Sequence, residues 1–187
     1  MPNQTLLGII REHLPYEINM LRLTYKELEA GAKQAPAKSQ VQQVYQNALI
    51  EAFCVHGRSL IGFFADKRYR DTDTVASDFV DGFVKTLNVD TEPLKSIVNQ
   101  LNKQLFHLTK NRTIIDAQKF DVGRDGSLLL KLIEAEIIKF TAALQTTDFK
   151  SFKCDTSPIA VLPGLPFSSC TTAIERMKII SHGSLAP

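Results

Sequence analysis

The apolar residues of this chain recur at helical spacing over most of its length. The clearest pattern runs from Thr91 to Arg112, where Thr91 is predicted to cap a helix that carries Pro93 in its first turn. Its apolar residues fall on one stripe, formed by Leu94, Ile97, Val98, Leu101, Leu105 and Leu108. Because such a stripe must be buried, we expect this helix to pack against others.

Other segments show the same periodicity. Residues 4–13 form a predicted short helix, and Pro15 separates it from, or kinks it into, a second helix that ends at Gly31. A long helix is predicted from its cap at Ser39 to about Phe64, and its second half is apolar nearly all round. Ser127 is predicted to cap the last core helix, with a stripe of Leu129, Ile133, Ile137, Phe140 and Leu144.

These patterns predict an all-α fold, a helical bundle of about four to six helices with an irregular C-terminal tail. A length of 187 residues suits one domain. We assign residues 1–149 to the helical bundle domain and residues 150–187 to a Pro/Ser-rich tail. Apolar residues within the tail, such as Ile159 and Phe167, lead us to expect that it packs on the bundle.

Composition narrows the function classes further. A formal net charge of +2 is too small to indicate a nucleic-acid-binding protein by itself. The 3 cysteines and 4 histidines are widely spaced, so no metal site and no cofactor are predicted. No secretory leader and no long apolar segment is visible, and we therefore expect a cytoplasmic protein without a membrane partner.

Local charge is more informative than the total. The segment after Phe64 opens with basic residues, residues 71–92 are strongly acidic, and residues 93–115 contain basic residues but no acidic ones. Clustered carboxylates such as Asp71, Asp73 and Asp78 can bind hard cations. They also fit turn and N-cap positions, and we favour capping.

The polar face of the 91–112 helix carries the candidate chemistry. Lys103 and His107 lie one turn apart on the side opposite the leucines, with Lys110 beside them. In metal-independent RNA cleavage a histidine moves a proton and a nearby cation stabilises charge on the phosphate. The alternative interpretation is a solvated face, or one packed against the acidic residues 71–92.

Around Asn102, Lys103 and His107 the chain resembles the HEPN superfamily of helical domains, many of which are metal-independent ribonucleases or nucleic-acid-associated modules. The family motif is an arginine, usually followed by a polar residue, then a histidine after four to six residues. Here His107 matches, Lys103 stands in place of the arginine with three residues between it and His107, and Asn102 precedes Lys103. The resemblance implies an RNA-binding or RNA-cleaving homodimer with His107 and Lys103 as catalytic residues and Lys110, Arg112 and Asn102 as RNA contacts.

Two noncatalytic functions are alternatives. The chain can be a helical interaction protein that self-associates through its tail and helix surfaces. It can also bind a small ligand between helices, in a pocket lined by His56, Arg58 and Glu51. For His56 itself we favour a hydrogen-bonded core histidine over a pocket residue. The residues leave enzymatic activity undecided.

Overall fold

The computed structural model describes residues 4–32, 39–104, 120–150 and 152. Their regular structure is helical throughout, without a strand in these ranges, and the predicted all-α fold is confirmed. The α-helices are α1 (Gln4–Gly8), α2 (Leu14–Ala32), α3 (Gln40–Phe64), α4 (Leu94–Gln104) and α5 (Ser127–Leu144). All described residues belong to one compact unit, Met1–Asp155.

Helices α1 and α2 are joined by a π-helical turn, Ile9–His13. Pro15 follows this turn and has no N–H to donate to the preceding helical turn. In this wider turn the Leu14 N–H donates to the Ile9 carbonyl, so the chain enters α2 without a break. Of the two predicted outcomes at Pro15, the structure thus shows a distorted connection and not a separation.

Helix α3 begins where the sequence predicts and is the central element. Ser39 and Gln42 form a reciprocal capping box, in which each side chain accepts from the other's backbone N–H at 3.2 Å. One side of α3 packs along α2 and another part against α5. Residues of its second half are fully buried, among them Phe53, Leu60 and Phe64.

The core between α3 and α5 is built from phenylalanines around Phe140. Rings from three parts of the chain meet this ring at centroid distances of 5.3 to 6.5 Å. The contributing residues are Phe63, Phe64, Phe79, Phe83 and Phe152. Phe152 is 5% exposed, so the core includes a residue beyond the predicted end of the bundle domain at residue 149.

Two predicted helix caps were wrong. The Thr91 hydroxyl donates to the Asn88 carbonyl and closes a turn, while the Glu92 carboxylate accepts from the Ser96 N–H at 3.3 Å in the first turn of α4. At α5 the cap is Asp121, whose carboxylate accepts from the Arg124 N–H at the start of a π-helical turn, Val122–Gly126. This turn runs directly into α5, so Ser127 is already helical.

Side-chain hydrogen bonds between residues that are far apart in sequence hold α5 in place. The Arg22 guanidinium of α2 donates two 2.6 Å hydrogen bonds to the Glu134 carboxylate. Glu136, fully buried, accepts from the Thr86 N–H at 2.9 Å and from Lys139 Nζ at 2.8 Å. The connection between α3 and α4 is therefore attached to α5 by a buried carboxylate.

The predicted packing of the tail and of Leu105 and Leu108 falls on residues outside the described ranges. Within those ranges the predicted stripes are confirmed. Leu94, Ile97 and Leu101 of α4 are at most 3% exposed, and the five stripe residues of α5 are at most 1% exposed.

Candidate functional site

One face of α3 is not covered by the other helices that the structure describes. At 100° per residue, a sector of about 60° contains Val41, Val44, Ala48, Val55, Ser59 and Gly62. The opposite side carries Phe53, Leu60 and Phe64 and faces the core. The second half of the uncovered face, from Val55 to Gly62, forms one wall of a cavity.

The end of α3 turns the chain back along this wall. Asp66 adopts a left-handed conformation with φ of 55°, the Asp66 N–H donates to the Phe63 carbonyl at 3.4 Å, and the Lys67 N–H donates to the Gly62 carbonyl at 3.1 Å. This pair of bonds is a Schellman motif, and Asp tolerates its left-handed position better than most residues. Lys67 is consequently held beside Gly62.

Carboxylates shape the segment that follows. Asp73 accepts from the backbone N–H groups of Tyr69 and Arg70, both at 2.9 Å. Asp78 accepts from the Val75 N–H at 2.9 Å and forms an ion pair with Arg68. Asp73 and Asp78 therefore stabilise turns, as predicted, but they accept from preceding residues and are not N-caps. In the described part of the chain there is no group of three metal-binding side chains.

The resulting cavity, the α3 cavity, has a volume of about 460 Å³. It lies between the second half of α3 and residues 67–74. Its lining residues are Val55, Arg58, Ser59, Gly62, Phe63, Lys67, Tyr69, Arg70, Asp73 and Thr74. The volume is within the usual range for small-molecule sites.

The α3 cavity is basic. Among the described lining residues, Arg58, Lys67 and Arg70 outnumber one acidic residue, Asp73, and one oxygen of Asp73 already accepts the two backbone N–H groups. Lys67 also lies 3.9 Å from Asp90, a carboxylate whose side chain is 83% exposed, so this pair is strongly screened. The cavity thus presents a net positive charge to a ligand.

An aromatic ring organises two of these cations. The Arg58 guanidinium carbon lies 5.6 Å and Lys67 Nζ 5.8 Å from the centroid of the Tyr69 ring. Cation–π contacts of this kind orient the two basic groups. Ser59 and Thr74 add hydroxyl groups to the same lining.

Of the three residues predicted to line a pocket between helices, the structure places Arg58 on the α3 cavity. Glu51 is exposed about two helical turns earlier and does not line it. His56 points to another side of α3, where its Nδ1 lies 2.8 Å from Glu17 Oε2 and its ring contacts Tyr16 edge-on at 5.5 Å. His56 is 9% exposed and is a hydrogen-bonded histidine between α2 and α3.

The residues of the family resemblance fall largely outside the described part of the chain. His107, Lys110 and Arg112 are not described, and Lys103 is described only as a backbone position in α4. Asn102 is half-buried on α4, and its side-chain oxygen is shielded from solvent without a hydrogen-bond partner in the structure. In this conformation the Asn102 oxygen is therefore not available for the predicted RNA contact.

Sequence reasoning did not single out Lys67, Tyr69 and Arg70 as a site. A signal was present, because basic residues directly follow the predicted end of the central helix. Their convergence with Arg58 depends on the reversal at Asp66 and on the turn that Asp73 stabilises, which no local periodicity encodes.

Comparison with known proteins gives no further assignment: no family model, no curated protein and no solved structure matches this chain. Among the described residues, no helix is both long and apolar enough to cross a membrane.

Proposed function

We propose that this protein binds a small phosphorylated ligand in the α3 cavity. The observation that carries the proposal is the convergence of Arg58, Lys67 and Arg70 on a cavity in which the one acid among the described lining residues, Asp73, is engaged with backbone N–H groups. Small-ligand binding is one of the alternatives that the sequence leaves open, and here Arg58 is retained while Lys67 and Arg70 take the place of His56 and Glu51.

The charge and shape of the cavity favour phosphate over a neutral ligand. A phosphate monoester carries close to two negative charges at neutral pH, and three cations against one acid complement that charge. Arginine donates in a planar fork that matches phosphate oxygens, and lysine adds a point charge. The Ser59 and Thr74 hydroxyls can donate to further oxygens. Val55 and Phe63 supply apolar surface for the rest of the ligand.

Thermal unfolding in the presence of inorganic phosphate, adenosine monophosphate or a single-stranded RNA tests this function. We expect the first two to raise Tm in a concentration-dependent way, because a ligand that binds only the folded state stabilises it. A rise with RNA alone would contradict the small-ligand proposal and assign the phosphate chemistry to a nucleic acid.

Variants of the lining residues test whether the ligand binds in the α3 cavity. Lys67→Gln with Arg70→Gln removes two exposed cations and should abolish the Tm rise, whereas Lys131→Gln, an exposed lysine of α5, should leave it unchanged. Gly62→Leu provides a steric test, since a Cβ there meets Tyr69 only at 3.7 Å and the longer side chain occupies the cavity. Equal Tm rises in the wild-type and the Lys67/Arg70 variant would refute the assignment.

An RNA-cleaving function remains a second proposal. The observation in its favour is that α4 is helical up to Gln104, so Asn102 and Lys103 lie near the described end of a helix, as the family resemblance requires. His107→Ala should then abolish cleavage of a labelled single-stranded RNA by the purified chain. Intact RNA after incubation with wild-type protein would exclude this activity for the substrate tested.

A further inference from the structure

One side chain of the α3 cavity has the opposite charge to the rest. The described lining residues include three basic side chains and one acidic side chain, that of the half-buried Asp73. A negative charge at this place weakens the binding of phosphate, because like charges repel each other. A site that only had to attract phosphate would bind it better without this carboxylate.

The structural role of Asp73 requires an oxygen but not a negative charge. Its Oδ2 atom accepts from the backbone N–H groups of Tyr69 and Arg70, both at 2.9 Å. A single oxygen makes both bonds, and the side-chain oxygen of an asparagine can make them as well. The turn therefore accounts for Oδ2 and does not involve the other carboxylate oxygen, Oδ1.

Asp73 Oδ1 is available to a ligand. It accepts no hydrogen bond from the residues that the structure describes, and its surface is open to solvent. The residue is nevertheless fixed in place, since its Oδ2 is bound to the backbone and its carbonyl accepts from the Arg68 guanidinium. Oδ1 is thus a preorganised acceptor in the lining of the α3 cavity.

We propose that the ligand of the α3 cavity is a sugar phosphate, with a sugar hydroxyl donating to Asp73 Oδ1 and the phosphate contacting the three basic lining residues. This inference rests on the proposed function and adds the chemical class of the ligand. A hydroxyl can donate to a carboxylate, whereas an ionised phosphate oxygen only accepts. Hydrogen bonds to a charged acceptor are stronger than neutral ones, so the hydroxyl offsets the repulsion between Asp73 and the phosphate.

The rest of the lining suits the same class of ligand. Most of its side chains are polar or charged, and Ser59 and Thr74 carry hydroxyl groups that can pair with further sugar hydroxyls. The volume of about 460 Å³ exceeds what a phosphate ion fills and leaves room for a sugar. A phosphorylated sugar therefore uses both the charge and the size of the cavity.

Isothermal titration calorimetry of the full chain with ribose 5-phosphate and with ethyl phosphate tests the inference. Both are phosphate monoesters, but ethyl phosphate has no hydroxyl on its carbon chain. We expect ribose 5-phosphate to bind about tenfold more tightly, the effect of one hydrogen bond to a charged acceptor. Equal affinities would overturn the sugar assignment and leave phosphate binding in place. Failure of both esters to bind would overturn the proposed function as well.

Asp73→Asn separates the acceptor from other contacts of the sugar. The amide oxygen can still accept from the Tyr69 and Arg70 N–H groups, while the cavity loses a negative charge. Ethyl phosphate should therefore bind more tightly to this variant, and the preference for ribose 5-phosphate should fall. A damaged turn would weaken both ligands instead. An unchanged preference in Asp73→Asn would overturn the role of Oδ1.

Two further variants control this result. Asp73→Ser keeps one oxygen for the turn and has no second one, so the preference should be lost there too. Asp81→Asn removes the same charge from an exposed carboxyl of the acidic segment outside the cavity lining, and should keep the preference. An equal loss in Asp81→Asn would attribute the effect to net charge and refute the contact with Asp73.

Adenosine monophosphate shows whether the sugar phosphate is free or part of a nucleotide, since it carries the same ribose and phosphate. Tighter binding than that of ribose 5-phosphate, with the same dependence on Asp73, would assign the sugar phosphate to a nucleotide. Binding that does not depend on Asp73 would contradict the proposed hydroxyl contact.

Discussion

The backbone N–H of Thr86 donates to Glu136 Oε1 over 2.9 Å, and this bond joins the segment between α3 and α4 to the buried side of α5. The same oxygen accepts from the Thr86 hydroxyl and from Lys139 Nζ. Glu136 is fully buried, and its other oxygen has no hydrogen-bond partner in the described structure. One carboxylate oxygen thus accepts all three of these hydrogen bonds.

Replacing Glu136 should weaken the fold through this attachment. Glu136→Ala removes the acceptor of three hydrogen bonds, and we expect the free energy of unfolding to fall by about 2 kcal/mol. Glu136→Gln keeps an acceptor oxygen for Thr86 and should lose less. Urea unfolding followed by circular dichroism measures both. If Glu136→Ala and Glu136→Gln lowered the free energy of unfolding equally, the hydrogen bond to Thr86 would not be the cause of the loss.

A second prediction concerns the bidentate pair of Arg22 and Glu134, whose side chains are 12% and 31% exposed. Two parallel hydrogen bonds in a partly shielded site should couple the residues by about 1 kcal/mol, near the top of the range for such pairs. A double-mutant cycle with Arg22→Gln and Glu134→Gln measures this coupling.

The control for that cycle is Lys67 with Asp90, which are 3.9 Å apart and 43% and 83% exposed. Their coupling should be close to zero, since solvent and salt screen an exposed pair. Equal coupling energies in the two cycles would contradict the link between geometry and strength.

The helices and the α3 cavity differ in how well the sequence predicts them. Helix α3 is foreseen from Ser39 to Phe64 because its cap and its apolar periodicity are local properties of the chain. The stripe of α5 is foreseen for the same reason. The start of α5 is not, because Asp121 caps a π-helical turn that has no characteristic periodicity.

The cavity depends on contacts that periodicity cannot encode. Arg58 was singled out for its position on α3, but Tyr69 reaches it only because the chain reverses at Asp66 and Asp73 stabilises the next turn. Glu51 shares a side of α3 with Arg58, and helix geometry alone could not place it outside the cavity. Loop conformation therefore limits the prediction of the site more than helix assignment does.

A third prediction is that Cys54 is chemically inert in the folded chain. Burial, followed by the negative charge of Glu51, raises the pKa of the Cys54 thiol to about 12. At pH 8 only ~10⁻⁴ of such a thiol is ionised, and the thiolate is the reactive form. In a Cys154→Ser, Cys170→Ser background we expect no reaction with a disulfide reagent until urea unfolds the chain.

Glu51→Gln separates the two causes of the raised Cys54 pKa. Because burial is the larger one, this variant should stay unreactive while folded. Rapid labelling of Cys54 in the folded chain at pH 8, with or without Glu51→Gln, would show that the thiol is not enclosed by the core.

The last prediction concerns acid stability at the start of α5. The Arg124 side chain donates to Asp125 and is the main cause that lowers the pKa of this carboxyl, aided by the Asp121 N–H at 2.9 Å. A carboxyl whose pKa is lower in the folded than in the unfolded state stabilises the fold above its unfolded pKa, about 3.9. That stabilisation is lost as the pH falls through the folded pKa.

Asp125→Asn should therefore be less stable than wild type at neutral pH, and the difference should shrink below about pH 4. Urea midpoints at several pH values measure the difference, with Asp148→Asn, an exposed carboxyl, as control. A difference between wild type and Asp125→Asn that is the same at every pH would mean that the Asp125 charge does not stabilise the fold.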